Sequence, residues 1–237
     1  ISRPLGFKLL SHKENFDLRW EIECTDKRFF DKVSGELTYQ IGGKETFIMP
    51  EIPWNFRALS NQVSNTPVQI TYRLFDSKGK KLEHVERINI RSINDCIWRY
   101  RDTEMYYLFS AYVQENHPEI DQILKQALAT EFVDAIIGYQ GTESDVLLQV
   151  AAIWKVLHDK GFKYSSITTP SAQNPKSFSS QSVRTFEAAY NSNQANCVDG
   201  TVVLASILRK IGISTEMIFV PGHCFLAFYT DKESTKK

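Results

Sequence analysis

The sequence predicts an α+β protein in two parts, an antiparallel β-sandwich followed by a domain that mixes helices with a few strands. Two observations support this prediction. Up to about Asn94, apolar residues alternate at period two between turn signals. From about Asp95 onward they recur at roughly 3.6 residues, which is typical of amphipathic helices. We therefore predict two domains, residues 1–95 and residues 96–237.

Composition narrows the classes of function. The chain has 237 residues, of which 42% are hydrophobic and 24% charged, as is usual for a soluble globular protein. Lys+Arg and Asp+Glu both number 28, so the formal net charge is zero and nothing points to nucleic acid or an anionic membrane. No apolar run approaches the ~20 residues of a membrane span. The chain begins with Ile1 rather than Met, so the compartment stays open, and an exported protein whose signal was removed remains one of the alternatives.

The first domain is predicted as a series of short strands. Gly42 and Gly43 form a tight turn that is typical of a hairpin, and residues 76–79 form a second turn. Residues 50–67 are polar and contain prolines, so we interpret them as a long connection. Short strands at this spacing favour a small antiparallel β-sandwich of immunoglobulin-like type. The predicted strands are 16–24, 35–41, 45–49, 68–75 and 82–93.

The second domain opens with predicted helices. Residues 103–116 and 118–128 carry apolar stripes, and Pro118 separates them. The later helices are 145–160 and the shorter 183–190. Residues 163–182 are rich in Ser, Thr and Pro and predict a surface loop, which either lines a functional site or is a disordered insertion.

A buried helix at 197–211 is the strongest local prediction. Asn196 is a good N-cap residue, Asp199 places a carboxylate in the first turn, and Gly212 suits the end. Cys197 is then the first helical residue, where free N–H groups and the helix dipole favour a thiolate and a developing oxyanion. The apolar stripe consists of Val198, Val202, Leu204, Ala205, Ile207, Leu208 and Ile211.

A histidine follows this cysteine at a sequence separation that suits a catalytic base. His223 lies 26 positions after Cys197 (223 − 197) and directly follows Pro221-Gly222, a predicted turn. The flanking residues 215–220 and 225–229 are rich in strand formers. His223 is therefore expected at the start of a strand that shares a core with the helix, and together with Cys197 it forms the minimum set for a cysteine nucleophile and its base.

The segments around these residues resemble the bacterial transglutaminase-like superfamily. The resemblance rests on Val183-Arg184-Thr185-Phe186-Glu187, Asn196-Cys197-Val198-Asp199 and Val220-Pro221-Gly222-His223-Cys224-Phe225. It covers roughly residues 98–231, with recognisable motifs in 183–229. It implies a papain-like α+β core in which Cys197 is the nucleophile and His223 the general base and acid.

The chain departs from the family pattern at the third catalytic residue. The family places an acidic residue on the strand after the histidine strand, whereas this chain ends fourteen residues after His223 (237 − 223). Asp231, eight residues after His223, is the nearby aspartate and lies where the family has a hairpin turn. The resemblance therefore leaves three alternatives: Asp231 orients the imidazole, the third residue lies beyond Lys237, or the triad is incomplete.

Two polar residues near Cys197 have competing interpretations. Asp199 is either a residue of the site or a cap for the N–H groups of the helix start, and the sequence favours the cap. Gln194 is either a donor to an oxyanion or an ordinary loop residue, and we favour the latter.

The remaining cysteines predict neither a metal site nor a cofactor site. Cys24 and Cys96 are interpreted as buried free thiols, and a bridge between them is the alternative for an exported protein. Cys224 follows His223 directly, but adjacent strand residues point to opposite faces, so a zinc site of Cys197, His223 and Cys224 is disfavoured.

The expected function is cysteine-dependent acyl transfer on an amide of a protein or peptide substrate. Water as acceptor makes the chain a peptidase or amidase, and an amine makes it a transglutaminase. One alternative is a catalytically inactive transglutaminase-like protein that binds a partner or acts as a scaffold. Another is a cell-wall endopeptidase of the related papain-like class, in which the cysteine-to-histidine separation is usually longer.

Overall fold

The computed structural model describes residues 5–62, 64–166, 173–174 (backbone only) and 177–234. It divides the chain into two compact units, Ile1–Ile93 and Asn94–Lys237. The protein is mixed α+β, with several antiparallel sheets. The predicted boundary, between residues 95 and 96, lies two residues further along the chain, within the first strand of the second unit.

The first unit consists of two antiparallel sheets. A four-stranded sheet has the order β3-β2-β5-β6, and β1 pairs with β4 in a small second sheet. The ring of Phe7 on β1 meets those of Trp20 and Tyr72 edge-on, so the small sheet contributes to the core of the large one. The elements are β1 (Phe7–Leu9), β2 (Phe16–Cys24), β3 (Lys32–Tyr39), β4 (Thr46–Ile48), α1 (Phe56–Ser60), β5 (Thr66–Asp76) and β6 (Lys81–Ile90).

The predicted hairpin around Gly42-Gly43 is wrong. β3 pairs with β2, and β4 pairs with β1, so this turn connects two sheets. The turn contacts the segment that follows β1: the Gly43 N–H donates to the Ser11 carbonyl at 2.7 Å, and the Ser11 N–H donates to the Tyr39 hydroxyl at 3.1 Å. These bonds place the turn beside β1, the strand with which β4 pairs. The other predicted hairpin, through the turn at 76–79, is confirmed as β5–β6.

In the described part of the second unit, five helical segments are combined with short strands. β10-β11-β7-β8 form one antiparallel sheet, β13 and β14 form a hairpin, and β9 and β12 pair in parallel. None of the described helices combines the length and apolar content needed to cross a bilayer. The elements are β7 (Asp95–Tyr100), β8 (Thr103–Glu104), a 3₁₀ helix (Tyr106–Tyr112), α2 (Pro118–Leu128), α3 (Glu143–Asp159), β9 (Lys163–Tyr164), β10 (Gln173–Asn174), β11 (Phe178–Ser182), α4 (Phe186–Ser192), β12 (Gln194–Ala195), α5 (Cys197–Lys210), β13 (Thr215–Val220) and β14 (His223–Phe228).

The segment predicted as an α-helix at 103–116 forms the short strand β8 and the 3₁₀ helix instead. A 3₁₀ helix has three residues per turn, so Tyr106, Phe109 and Tyr112 lie on one face and enter the same apolar cluster. Tyr106 and Phe109 both stack on the ring of Phe219, with centroids 4.8 and 5.1 Å away. Tertiary stacking therefore selects the tighter helix.

The loop predicted at 163–182 is wrong at both of its ends. Residues 163–164 form β9, and residues 178–182 form β11, which pairs with β7 some eighty positions earlier in the chain. Ser179 and Ser180 are buried there although their side chains carry no apolar signal. The middle of the predicted loop, at 167–172 and 175–176, lies outside the described residues.

Helix α5 separates two apolar clusters of the second unit. On one side, α2, α3 and α4 pack against it through residues such as Ile123, Ile153 and Ile207, all fully buried. On the other side, Val198 and Val202 contribute to a smaller cluster with Cys96, Phe109, Val183 and Cys224. Since both sides are apolar, nearly the whole surface of the helix is buried, which explains the wide apolar stripe in its sequence.

A buried glutamine and a tyrosine attach the β13–β14 hairpin to the helical core. Gln149 on α3 is fully buried, and its Oε1 accepts from the N–H groups of Ile137 and Gly138 at 2.9 and 2.8 Å. The next residue, Tyr139, accepts from the Ser214 N–H at 2.9 Å and donates to the Tyr229 carbonyl at 3.1 Å. The loop that Gln149 holds therefore clamps both strands of the hairpin at one end.

Replacing Gln149 with leucine tests this attachment. The substitution keeps the side chain buried but leaves two backbone N–H groups without an acceptor, so the free energy of unfolding should fall by about 3 kcal/mol. Urea denaturation followed by circular dichroism measures the change. The matched control is Gln126→Leu on the exposed face of α2, which should change stability by no more than about 0.5 kcal/mol. Equal effects of the two substitutions would contradict the proposed role of Gln149.

Candidate functional site

The site begins at the first turn of α5. Asn196 is the N-cap, as predicted, and its Oδ1 accepts from the Asp199 N–H at 2.9 Å. The Asp199 carboxylate returns the bond by accepting from the Asn196 N–H at 3.3 Å. This reciprocal capping box fixes the chain direction at Cys197, which is the first residue of the helix, as predicted.

Asp199 is a buried cap that also fastens α5 to the preceding segment. Its side chain is 1% exposed and accepts from the Arg184 N–H at 2.9 Å, while the Arg184 Nε lies 3.9 Å from its Oδ2. Burial raises the pKa of the Asp199 carboxyl, and the two N–H bonds and the Arg184 charge only partly offset this. The capping interpretation is thus confirmed, because the bonds of this carboxylate are directed to the protein backbone.

Cys197 differs from the other three cysteines in exposure. It is half-buried, whereas Cys24, Cys96 and Cys224 are buried, and all four are free thiols. Burial raises the pKa of Cys24, and it raises the pKa of Cys96 and of Cys224 to about 11. At neutral pH these three therefore stay as thiols. The interpretation of Cys24 and Cys96 as buried free thiols is confirmed.

Two backbone donors remain available beside the Cys197 thiol. The capping box uses the Asp199 N–H, and the Gly200 N–H donates to the Asn196 carbonyl at 2.9 Å. Within the part of the chain that the structure describes, the N–H groups of Cys197 and Val198 have no acceptor. Free N–H groups at a helix start, with the positive end of the dipole, can bind an anion or an oxyanion.

The β13–β14 hairpin brings its turn to the same end of α5. β13 starts shortly after α5 ends and runs back along the helix, and Pro221-Gly222 then form a two-residue turn with a φ of 76° at Gly222. The backbone of His223, the first residue of β14, therefore lies near the helix start. Its side chain is exposed on the outer face of the hairpin, with its ring 6.3 Å from that of Phe225.

Cys224 is the residue that β14 directs toward the start of α5. Its thiol is 2% exposed and donates to the Thr201 hydroxyl at 3.7 Å. Thr201 in turn donates to the Cys197 carbonyl at 2.8 Å, and burial, with a smaller contribution from the nearby Cys197, raises the pKa of Cys224. Because successive strand residues alternate between faces, a strand that turns Cys224 inward turns His223 outward.

The structure thus does not bring the imidazole of His223 onto Cys197. No hydrogen bond, ion pair or ring contact joins the two side chains among the described residues. The role of His223 as base stays a prediction. Sequence reasoning missed Cys224 as the neighbour of Cys197, although the signal was available: Cys224, Leu226 and Phe228 form an apolar period-two series that marks the inner face of β14.

The other predicted residues lie apart from the Cys197 thiol. Asp231 lies three residues beyond the far end of β14, and that end is itself about 16 Å from His223 in a six-residue strand. Its carboxylate accepts from the Ser234 N–H at 2.7 Å and from the Ser234 hydroxyl. Gln194 is exposed in β12 and pairs with Lys163. The structure therefore does not assemble Cys197, His223 and Asp231 as a triad, and the role of Asp231 stays a prediction.

A cleft of about 1070 Å³ lies on the other side of the hairpin. It follows the outer edge of β13, and neither Cys197 nor His223 lines it. Phe219 lies between the cleft and Cys224, since it lines the cleft and pairs with Cys224 across the hairpin. The residues that line the cleft include Tyr106, Tyr107, Gln114, Arg209, Glu216 and Phe219. The described residues contain no group of three or more His, Cys, Asp or Glu side chains that could hold a metal ion.

Comparison with known proteins yields no match. No protein-family model matches this chain, and no curated protein and no solved structure shows significant similarity to it. The geometry of the described residues therefore carries the functional argument.

The described residues include two capping boxes, and comparing them tests how α5 is anchored. Asp199→Ala leaves the buried N–H groups of Arg184 and Asn196 without an acceptor, so it should lower the free energy of unfolding by about 3 kcal/mol. Asp145 caps α3 with Thr142 in the same way but is exposed, and Asp145→Ala should have a clearly smaller effect. Denaturant titration measures both, and equal effects would argue against a special role of the Asp199 cap.

The raised pKa of Asp199 predicts a pH dependence of stability. The folded protein holds this proton more tightly than the unfolded chain, whose carboxyl titrates near 3.8. The contribution of this group to the free energy of unfolding is therefore greatest at low pH. It falls as the pH rises from 3.8 to the folded pKa. The stability of wild type minus that of Asp199→Asn should decrease as the pH rises above about 4. Denaturant titrations at several pH values measure the difference, and an increase over that range would contradict the prediction.

Proposed function

We propose that this chain is a cysteine-dependent acyl-transfer enzyme acting on an amide, with Cys197 as nucleophile. One observation carries the proposal: the half-buried cysteine occupies the first position of a capped, fourteen-residue helix, beside two backbone N–H groups that have no acceptor among the described residues. A thiol in this position gains from the helix dipole as a thiolate, and the same N–H groups stabilise the oxyanion that forms when it attacks a carbonyl.

The chemistry follows from this arrangement. The Cys197 thiolate attacks the amide carbonyl carbon, and the N–H groups of Cys197 and Val198 hold the oxyanion. The intermediate collapses to a thioester as the amine leaves with a proton. Water then releases an acid, which makes the protein a peptidase or amidase, or a second amine forms a new amide, which makes it a transglutaminase.

We assign the proton transfers to His223, with one condition. Its backbone lies at the Cys197 end of the hairpin, but its ring faces outward, so the imidazole must turn toward α5 before it can exchange protons with Cys197. Asp231 cannot orient the ring from the far end of β14 unless the segment after Phe228 folds back. The assignment of His223 therefore rests on its position, and that of Asp231 on sequence alone.

We also propose a specific fold for each of the two units. In the second unit, a cysteine that opens a helix packed on an antiparallel hairpin bearing a histidine supports a transglutaminase-like fold. In the first unit, two antiparallel sheets that share one core support an immunoglobulin-like sandwich. The outer edge of β13 has no strand partner among the described residues, and the cleft along it suits an extended protein or peptide substrate.

A catalytically inactive binding or scaffold protein is the second candidate. The outward orientation of His223 favours it, because a thiol without an adjacent base is a poor acyl-transfer catalyst. Exposed Val220 and Phe225 beside His223 give this outer face an apolar surface, as in many binding proteins.

Thiol reactivity tests the nucleophile that the enzyme requires. Native protein treated with iodoacetamide at pH 7 should label Cys197 at least about tenfold faster than Cys24, Cys96 and Cys224, since burial holds those three as thiols. Peptide mass spectrometry identifies the labelled residue, and Cys197→Ser serves as the blank. Labelling that is equal at all four cysteines, or absent, would support the inactive protein.

Substitution of His223 tests the assignment of the base. With casein as acyl donor and dansylcadaverine as amine, or with casein hydrolysis as readout, Cys197→Ala should abolish activity, and His223→Ala should lower kcat by about a hundredfold or more. His84→Ala, an exposed histidine of the first unit, is the matched control and should leave kcat unchanged. Full activity of His223→Ala would remove this residue from the mechanism and leave Cys197 with another base.

A further inference from the structure

Two cysteines from different elements meet at the start of α5. Cys197 opens the helix, and the Cys224 thiol on β14 contacts Thr201, four residues further along the same helix. Both belong to the smaller apolar cluster of the second unit. A single side chain links them, because the Thr201 hydroxyl accepts from the Cys224 thiol at 3.7 Å and donates to the Cys197 carbonyl at 2.8 Å.

The two thiols differ in a way that assigns them different roles. Cys197 is half-buried at the start of the helix, so a reagent in solution meets it first. Cys224 is 2% exposed, and burial raises its pKa to about 11, so it stays a protected thiol. An accessible cysteine next to a buried partner is the arrangement found in redox-sensing cysteine pairs.

The remaining cysteines are less suited to join Cys197. Cys24 belongs to the core of the first unit. Cys96 shares the apolar cluster, but it lies on β7, and its thiol interacts with Tyr112. No described hydrogen bond links it to the first turn of α5. Cys224 is therefore the partner that the fold offers.

We propose that Cys197 and Cys224 form a reversible disulfide when the protein meets a hydroperoxide. In the first step, the Cys197 thiolate attacks the terminal oxygen of the peroxide, a sulfur–oxygen bond forms, and the oxygen–oxygen bond breaks. Cys197 becomes a sulfenic acid, and the released hydroxide or alkoxide takes a proton from water. The sulfur is oxidised and the peroxide is reduced to water or an alcohol.

In the second step, the Cys224 sulfur attacks the Cys197 sulfenic sulfur. The sulfur–sulfur bond forms, the sulfur–oxygen bond breaks, and the hydroxyl group leaves as water with the proton of the Cys224 thiol. A dithiol reductant reverses the reaction by thiol–disulfide exchange and is itself oxidised to a disulfide. The pair thereby protects Cys197 from irreversible oxidation to a sulfinic acid.

The disulfide would also control the activity proposed above. A Cys197 sulfur that is bound to Cys224 cannot attack a carbonyl, so oxidation switches acyl transfer off and reduction restores it. This consequence rests on the proposed function, whereas formation of the disulfide does not. A protein that only binds a partner would form the same bond.

The test treats the reduced full chain with hydrogen peroxide at neutral pH and follows it by intact mass and tryptic peptide mapping. Cleavage after Arg184, Arg209, Lys210 and Lys232 separates the peptides of Cys197 and Cys224, and Cys96 lies on a third. Wild type should lose two hydrogen atoms and give the Cys197–Cys224 linked peptide. Dithiothreitol should restore the starting mass.

Two substitutions with serine supply the decisive comparison. Cys224→Ser keeps a donor for Thr201 but removes the second sulfur, so oxidation should stop at the Cys197 sulfenic acid and dimedone labelling should rise about tenfold over wild type. Cys96→Ser is the matched control and should form the disulfide as wild type does. The thermal transition of each variant confirms that it is folded.

Three results would overturn the proposal. They are equal dimedone labelling of wild type and Cys224→Ser, a disulfide that joins Cys197 to Cys96, and a Cys197 that resists peroxide. His223→Ala keeps this test separate from that of the proposed function, since it should lose acyl transfer and still form the disulfide. A chain without acyl-transfer activity that forms the Cys197–Cys224 bond would refute the enzyme and support the redox pair.

Discussion

The buried capping box of α5 is the constraint on which the candidate site depends. Asp199 accepts from the backbone of both Asn196 and Arg184, so one carboxylate fixes the helix start and joins it to the segment before α4. Asn196 in return accepts from the Asp199 and Gly200 N–H groups, so among the described residues the N–H groups of Cys197 and Val198 are the first-turn donors without an acceptor. The position of the thiol and the position of the donors therefore have the same cause, the capping box of Asn196 and Asp199.

The environment of α5 explains how such a carboxylate is tolerated. Burial of a charge is costly unless hydrogen bonds replace water, and here two N–H groups and a nearby guanidinium do so. The helix has apolar clusters on both sides, so its first turn cannot shift without disturbing one of them. A capping box of the same design, at Thr142 and Asp145, begins α3, but its hydrogen bonds lie at the surface.

Local chemistry let the sequence predict the elements around the site, but not how they face one another. Asn196, the apolar stripe of α5 and Gly212 predict that helix within a residue, and Pro221-Gly222 predict the hairpin turn, because these signals act within a few positions. The 3₁₀ helix was missed because stacking on Phe219, over a hundred positions later, selects it. The polar strand β11 was missed for a similar reason, since its partner β7 lies far away in the chain.

The turn between β13 and β14 has a consequence for the chemistry of the site. Gly222 adopts a positive φ that lets two residues reverse the chain, and this short reversal sets the pairing of Val220 with His223. One inserted residue would rotate every later side chain of β14 to the opposite face. An imidazole would then replace a sulfur atom beside Thr201, and the neighbour of Cys197 would change from a redox partner to a proton acceptor.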